Sequence, residues 1–104
     1  MLLEICKTVT HSNTICLRVF ISGKVQGVGY RYSTVQKAQE LGLRGWVRNR
    51  LDGRVEAIFA GTEPLITQKL QWCDQGTRSA KVTDVSVEKL EPQIYQGFEV
   101  KETV

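Results

Sequence analysis

The sequence has few of the groups that metal sites and nucleophilic enzymes rely on: one histidine and three cysteines in 104 residues. Cys6, Cys16 and Cys73 are odd in number and show no CxxC or Cys/His spacing. That pattern supports neither a disulfide framework nor a zinc site, so free thiols, no metal and no cofactor are expected. The only histidine, His11, lies in the aperiodic lead-in His11-Ser12-Asn13-Thr14 and is not expected to be catalytic. No apolar run is long enough to span a bilayer, and Met1 to Lys7 lacks the basic start, apolar core and cleavage site of a secretory signal. A cytoplasmic protein with no membrane partner is expected. There is no Lys/Arg cluster either: 14 basic against 11 acidic residues give a net charge of +3, which favours anionic partners only mildly, and no nucleic acid partner is expected. Low-complexity stretches and linkers are also missing. The chain therefore reads as one domain, 15–104, behind a flexible extension, 1–14; at this length roughly two-thirds of the unfolded surface can be buried.

What is present is a clear order of elements. The odd positions Ile15, Leu17, Val19 and Ile21 are all apolar, a period-two pattern that gives a strand from Ile15 to Ser22 with one buried face. Val35, Ala38 and Leu41 recur at helical spacing before Gly42, so a helix is predicted from about Gly29 to Leu41. Leu43 to Arg50 and Val55 to Ala60 read as strands joined by the turn Leu51-Asp52-Gly53-Arg54, whose Asp-Gly pair suits a hairpin. Thr62, Glu63 and Pro64 start a second helix with Leu65, Ile66, Leu70, Trp72 and Cys73 as its buried stripe, ended by Gly76. A fourth strand follows through Val82, Val85, Val87 and Leu90, with a bulge suggested after Val82, and a short strand near Phe98 and Val100 closes the chain. The order βαββαβ is the split βαβ pattern of an α+β, ferredoxin-like sandwich, in which two helices cover one face of an antiparallel sheet.

Within that topology one edge of the sheet gathers the loop after the first strand, the end of the second strand and the Asp52-Gly53 turn. The loop, Gly23-Lys24-Val25-Gln26-Gly27-Val28-Gly29-Tyr30-Arg31, combines glycines with an arginine at a strand-to-helix junction. Glycines let successive backbone N–H groups converge, the helix adds its positive end, and arginine offers a planar fork for oxyanions. Neither a P-loop nor a dinucleotide fingerprint has this glycine spacing. A lone arginine in a first helical turn is otherwise a solvated side chain, although its charge opposes the helix dipole unless an anion arrives. Asn49 ends Leu43-Arg44-Gly45-Trp46-Val47-Arg48-Asn49 where a strand seldom carries asparagine. The plain alternative is that it begins the turn.

Taken together, the glycine loop, Ala38 with Leu41-Gly42-Leu43, Gly45-Trp46-Val47-Arg48-Asn49 and Asp52-Gly53-Arg54-Val55-Glu56 make the stretch from Ile15 to Val100 resemble the acylphosphatase family. The resemblance implies a metal-independent hydrolase of acyl phosphates, acting as a monomer on a small-molecule substrate. It also implies that Arg31 binds substrate phosphate with the backbone of Gln26, Gly27, Val28, Gly29 and Tyr30, and that Asn49 positions the attacking water. Tyr30 stands where the family often has phenylalanine, and its added hydroxyl needs a partner. Gly76-Thr77 replaces a frequent Gly-Pro, a departure expected to touch only a distant loop. Two other uses of the same fold are a ligand-binding module and a domain acting on carbamoyl phosphate within a larger maturation enzyme, for which the end at Val104 is expected to leave no room. An RNA-recognition sheet would want stacking aromatics on the third strand, which reads Arg54-Val55-Glu56-Ala57-Ile58-Phe59-Ala60-Gly61.

Overall fold

The computed structural model describes residues 14–104. Cys6, His11 and the extension up to residue 13 lie outside the described residues, and Thr14 already belongs to the first strand. Five strands and two helices follow in the order β1 (Thr14–Lys24), α1 (Tyr30–Glu40), β2 (Arg44–Asn49), β3 (Val55–Thr62), α2 (Glu63–Gln75), β4 (Lys81–Leu90) and β5 (Phe98–Val100). The strands form one sheet in the order β4-β1-β3-β2-β5. Its four long strands pair antiparallel as the sequence pattern requires. The edge strand β5 runs parallel to β2, with Gly45 opposite Phe98, so the complete sheet is mixed.

The alternation in β1 has its expected consequence: Leu17, Val19 and Ile21 are buried, and Val47, Val55, Ala57 and Phe59 join them from the neighbouring strands. The helices close this face with Tyr30 and Ala38 from α1 and Ile66 and Cys73 from α2. Phe98 reaches the same core from β5, its ring 5.6 Å from that of Phe59. The break in β4 is a register shift: Ser22 faces Asp84 while Gly23 faces Val82, leaving Thr83 as the extra residue of a bulge. No described helix is long and apolar enough to cross a membrane.

The other face of the sheet is polar at one end and apolar at the other. Cys16, Ile58 and Ala60 form a small second cluster against Trp46, Leu90 and Tyr95. Beyond it Glu56, only 2% exposed, is held by Arg48 and Arg50 at 2.9 Å each and by Arg18 at 3.5 Å. Burial pushes the Glu56 carboxyl up, but the hydrogen bonds and charges of Arg48 and Arg50 outweigh it and hold the group below its ordinary range. These arginines flank Asn49 in sequence. Period-two geometry sends their side chains to the sheet's far face and leaves Asn49 on the helix side, next in line after buried Val47.

Candidate functional site

Helix α1 begins without a side-chain cap. Gly29, at φ 75°, stands at its N-cap position, and no acidic residue lies in its first turn. Gly27 has φ 73°, and the space where a Cβ would stand is open at both glycines. A left-handed backbone of this kind is unfavourable for other residues, and it curls the chain so that N–H groups at the helix start lack intrahelical partners. Arg31 projects from this first turn, half-buried, and forms no ion pair among the described residues. An uncapped positive helix end and an unpaired guanidinium thus occupy the same few residues.

The loop is fixed from three sides. Tyr30 is buried beneath α1, its hydroxyl donating to the Cys73 carbonyl at 2.8 Å and its ring 5.3 Å from that of Trp72. That supplies the partner the extra hydroxyl requires; burial, the largest cause, pushes the phenol well above its ordinary range. The Val28 carbonyl accepts a hydrogen bond from the Thr77 hydroxyl at 2.9 Å. Here the sequence reading needs correction. Gly76-Thr77 contacts the glycine loop directly, through a side-chain donor that a proline at 77 would not have. Finally, the Gln26 side chain donates from Nε2 to the carbonyls of Arg50 and Arg54, at 2.8 and 2.9 Å.

Those two carbonyls bracket the turn that follows Asn49. The turn is tight: Asp52 accepts from the Arg54 amide at 3.0 Å and from the Arg54 guanidinium at 2.8 Å, and these bonds, the side-chain one foremost, hold its carboxyl far below the usual carboxylate range. Asn49 itself ends β2 opposite Val55, and its carbonyl accepts from the Val104 amide at 3.3 Å. Its side-chain Oδ1 is buried and has no hydrogen-bond partner among the described residues. A buried acceptor left open is costly unless water or a ligand donates to it.

Arg31 and Asn49 line one cleft of about 370 Å³ together with Gly27 and Gly29. The two residues that the sequence singles out, 18 positions apart, therefore meet across the gap between the end of β2 and the start of α1. Gln26 and Val28 support this cleft from behind through the contacts above. Sequence reasoning missed the Gln26 side chain as a strut, because one glutamine in a loop carries no periodic signal. Among the described residues no group of three or more His, Cys, Asp or Glu side chains is placed to hold a metal ion. The cleft can thus receive a small oxyanion on one side and a hydrogen-bonded water on the other.

Comparison with known proteins speaks to the family and the fold. The family model described as Acylphosphatase matches residues 17–100. An acylphosphatase of Trichormus variabilis is 53% identical over 93 residues, covering 89% of this chain and 92% of the relative. The acylphosphatase structure from Coxiella burnetii superposes with a TM-score of 0.86 at 38% identity, over 90% of this chain and 99% of that one. For the Bacillus subtilis acylphosphatase the TM-score is 0.82 at 35% identity, over 84% and 98%.

Proposed function

Because the chain belongs to the acylphosphatase family, and is a hydrolase of that kind, we propose that it cleaves the carboxyl-phosphate bond of small acyl phosphates by direct attack of water on phosphorus. In this reading the phosphate sits on the Arg31 guanidinium and the backbone N–H groups of Gln26 to Tyr30, and Asn49 holds the water. The supporting observation is that Arg31 and the open Oδ1 of Asn49 share one cleft at an uncapped helix start.

The chemistry suits so sparse a site. The leaving group is a carboxylate with a pKa of about 4, so no general acid is needed. Phosphoryl transfer passes through a loose transition state in which placing charge and nucleophile matters more than strong bases. Fixed N–H dipoles and the Arg31 fork stabilise charge as it redistributes over the phosphoryl oxygens. Asn49 Oδ1 accepts a hydrogen bond from one water proton and turns a lone pair of the water toward phosphorus. Asparagine cannot take that proton outright, so it passes to a phosphate oxygen of the substrate itself. The mechanism uses no metal or cofactor, and the free thiols Cys16 and Cys73 suit a cytoplasmic enzyme working on a free metabolite.

The test is hydrolysis of benzoyl phosphate, followed by ultraviolet absorbance with a chelator present. Wild type turns over. Arg31→Gln loses both phosphate binding and turnover, whereas Asn49→Ala keeps phosphate as a competitive inhibitor and loses roughly two orders of magnitude in kcat. Equal loss of phosphate binding in both variants contradicts the two roles, and a folded wild type without turnover contradicts the activity.

A further inference from the structure

The cleft that holds Arg31 and Asn49 has a second wall with no polar function in the reaction. Tyr32 and Val35 of α1 face it from one side and Val100 of β5 from another, over buried Val25. A volume of about 370 Å³ falls in the range of small-molecule sites, about 300–1,000 Å³, and exceeds what a phosphate group alone occupies. Tyr32 is 68% exposed and Val100 49%, so both keep apolar surface in water at the mouth of the cleft. The Tyr32 ring does not swing freely: its hydroxyl accepts from Gln36 Nε2, one turn further along the helix, at 3.0 Å.

Two further exposed apolar side chains stand at the same end of the sheet. Leu51, two residues beyond Asn49, is 87% exposed, and its amide donates at 2.7 Å to the carbonyl of Val104, itself 47% exposed. Of the six large hydrophobic residues exposed among the described residues, Tyr32 and Val100 line the cleft, and Leu51 and Val104 lie at the same end of the sheet. Exposed apolar surface collected beside a polar anchor is characteristic of a ligand groove rather than of ordinary surface. Among the described residues Arg31 is the only charged side chain lining the cleft. One cation serves one anionic group.

We propose that this wall is the acyl subsite of the enzyme, and that it selects acyl phosphates with apolar acyl groups, aliphatic or aromatic, over those whose acyl group ends in a second anion. The inference rests on the acyl phosphate reading above. With the phosphate on Arg31, the acyl carbons extend along the Tyr32 ring toward Val100 and remove both from water. A terminal carboxylate on the same path is brought against valine and tyrosine with no cation to pair it, and loses hydration without compensation. Full burial of one methylene is worth about fourfold in affinity; a groove open on one side yields about half that burial, or about twofold per methylene.

The experiment measures kcat/KM for acetyl, butyryl and hexanoyl phosphate, whose leaving carboxylates are closely matched in acidity, and for pentanoyl against 4-carboxybutanoyl phosphate, which are matched in length. Wild type shows a rise of about 16-fold from acetyl to hexanoyl, carried in KM, and prefers pentanoyl by about tenfold or more. In the Tyr32→Ser, Val100→Ser double variant, at positions exposed enough for the fold to tolerate serine, the chain-length dependence flattens to about twofold. Ile94→Ser, at a 92% exposed position outside the cleft, keeps the wild-type slope. A flat series in an active wild type, or an undiminished slope in the double variant, overturns the subsite while leaving the acyl phosphatase activity standing. No hydrolysis of any acyl phosphate by folded protein overturns that activity and the inference with it.

Discussion

Two side chains do work out of proportion to their sequence signal. Gln26 ties the anion loop to the turn after Asn49 with one amide that donates twice. Each such bond is worth about 1 kcal/mol net, so Gln26→Ala is expected to cost about 1–2 kcal/mol in urea unfolding, read by tryptophan fluorescence. It should also lower kcat about tenfold, because Arg31 and Asn49 then lose their common reference. Gln26→Glu sets a carboxylate against two carbonyl oxygens and is expected to do at least as much damage; wild-type kinetics in either variant would remove the strut from the account. Lys69 is the opposite case, a charge with nothing to pair it. It is fully buried, its Nζ has no hydrogen-bond partner among the described residues, and it lies 3.7 Å over the Trp72 ring and 5.4 Å from that of Phe59. Burial pushes its pKa down to about 8. The folded state thus binds this proton less tightly than the unfolded chain, and stability rises as pH increases from about 8 toward the ordinary lysine value. Lys69→Met is expected to stabilise the protein by about 1–3 kcal/mol at pH 6–7 and to abolish that rise, both measured by urea unfolding across pH. A destabilised methionine variant at pH 6 would show that the aromatic contact outweighs the desolvation.

At the scale of elements, the strand and helix pattern was legible because it rests on periodicity and punctuation. Alternation in β1, the Asp52-Gly53 turn, Thr62-Glu63-Pro64 and Gly76 all mark what the structure contains. The bulge in β4 was legible as an interrupted alternation. Less visible was which residues of α2 face the core. The buried row is Ile66, Lys69 and Cys73, at i, i+3 and i+7, while Leu70 and Trp72 are only partly covered. Reading a lysine as polar hid it, although its spacing places it on the inner stripe. Glu56 was hidden for a similar reason, since its burial depends on arginines brought from β1, β2 and the turn. The parallel seat of β5 was not legible, because three residues carry no register of their own. The segment beyond β5 continues the pairing: the Lys101 amide donates to Val47, the Val104 amide to Asn49, and Val104 accepts from Leu51. Deleting residues 101–104 removes these three bonds. It is expected to cost about 1–3 kcal/mol and to lower kcat about tenfold while phosphate inhibition stays near wild type, as seen in paired unfolding and inhibition measurements. Unchanged turnover would show that β2 and its turn hold Asn49 without help.

For the whole molecule, topology does what no single segment could. Arg31 and Asn49 come from opposite ends of a helix and a strand, and they meet because α1 begins where β2 ends. Ferredoxin-like sheets serve many functions, so the fold alone does not specify a reaction. In the proposed reading the function lies in an uncapped helix start, an arginine with no ion pair among the described residues, one open carboxamide oxygen and an apolar wall beside them. In the proposed reaction, water held at Asn49 attacks phosphorus. A single-turnover hydrolysis of benzoyl phosphate in ¹⁸O-water, with enzyme in excess, tests it most directly. The expected result is one ¹⁸O in inorganic phosphate and none in benzoate, with the rate falling by roughly two orders of magnitude in Asn49→Ala and the label position unchanged. Label in the benzoate carboxyl would mean attack at carbon, and would contradict it.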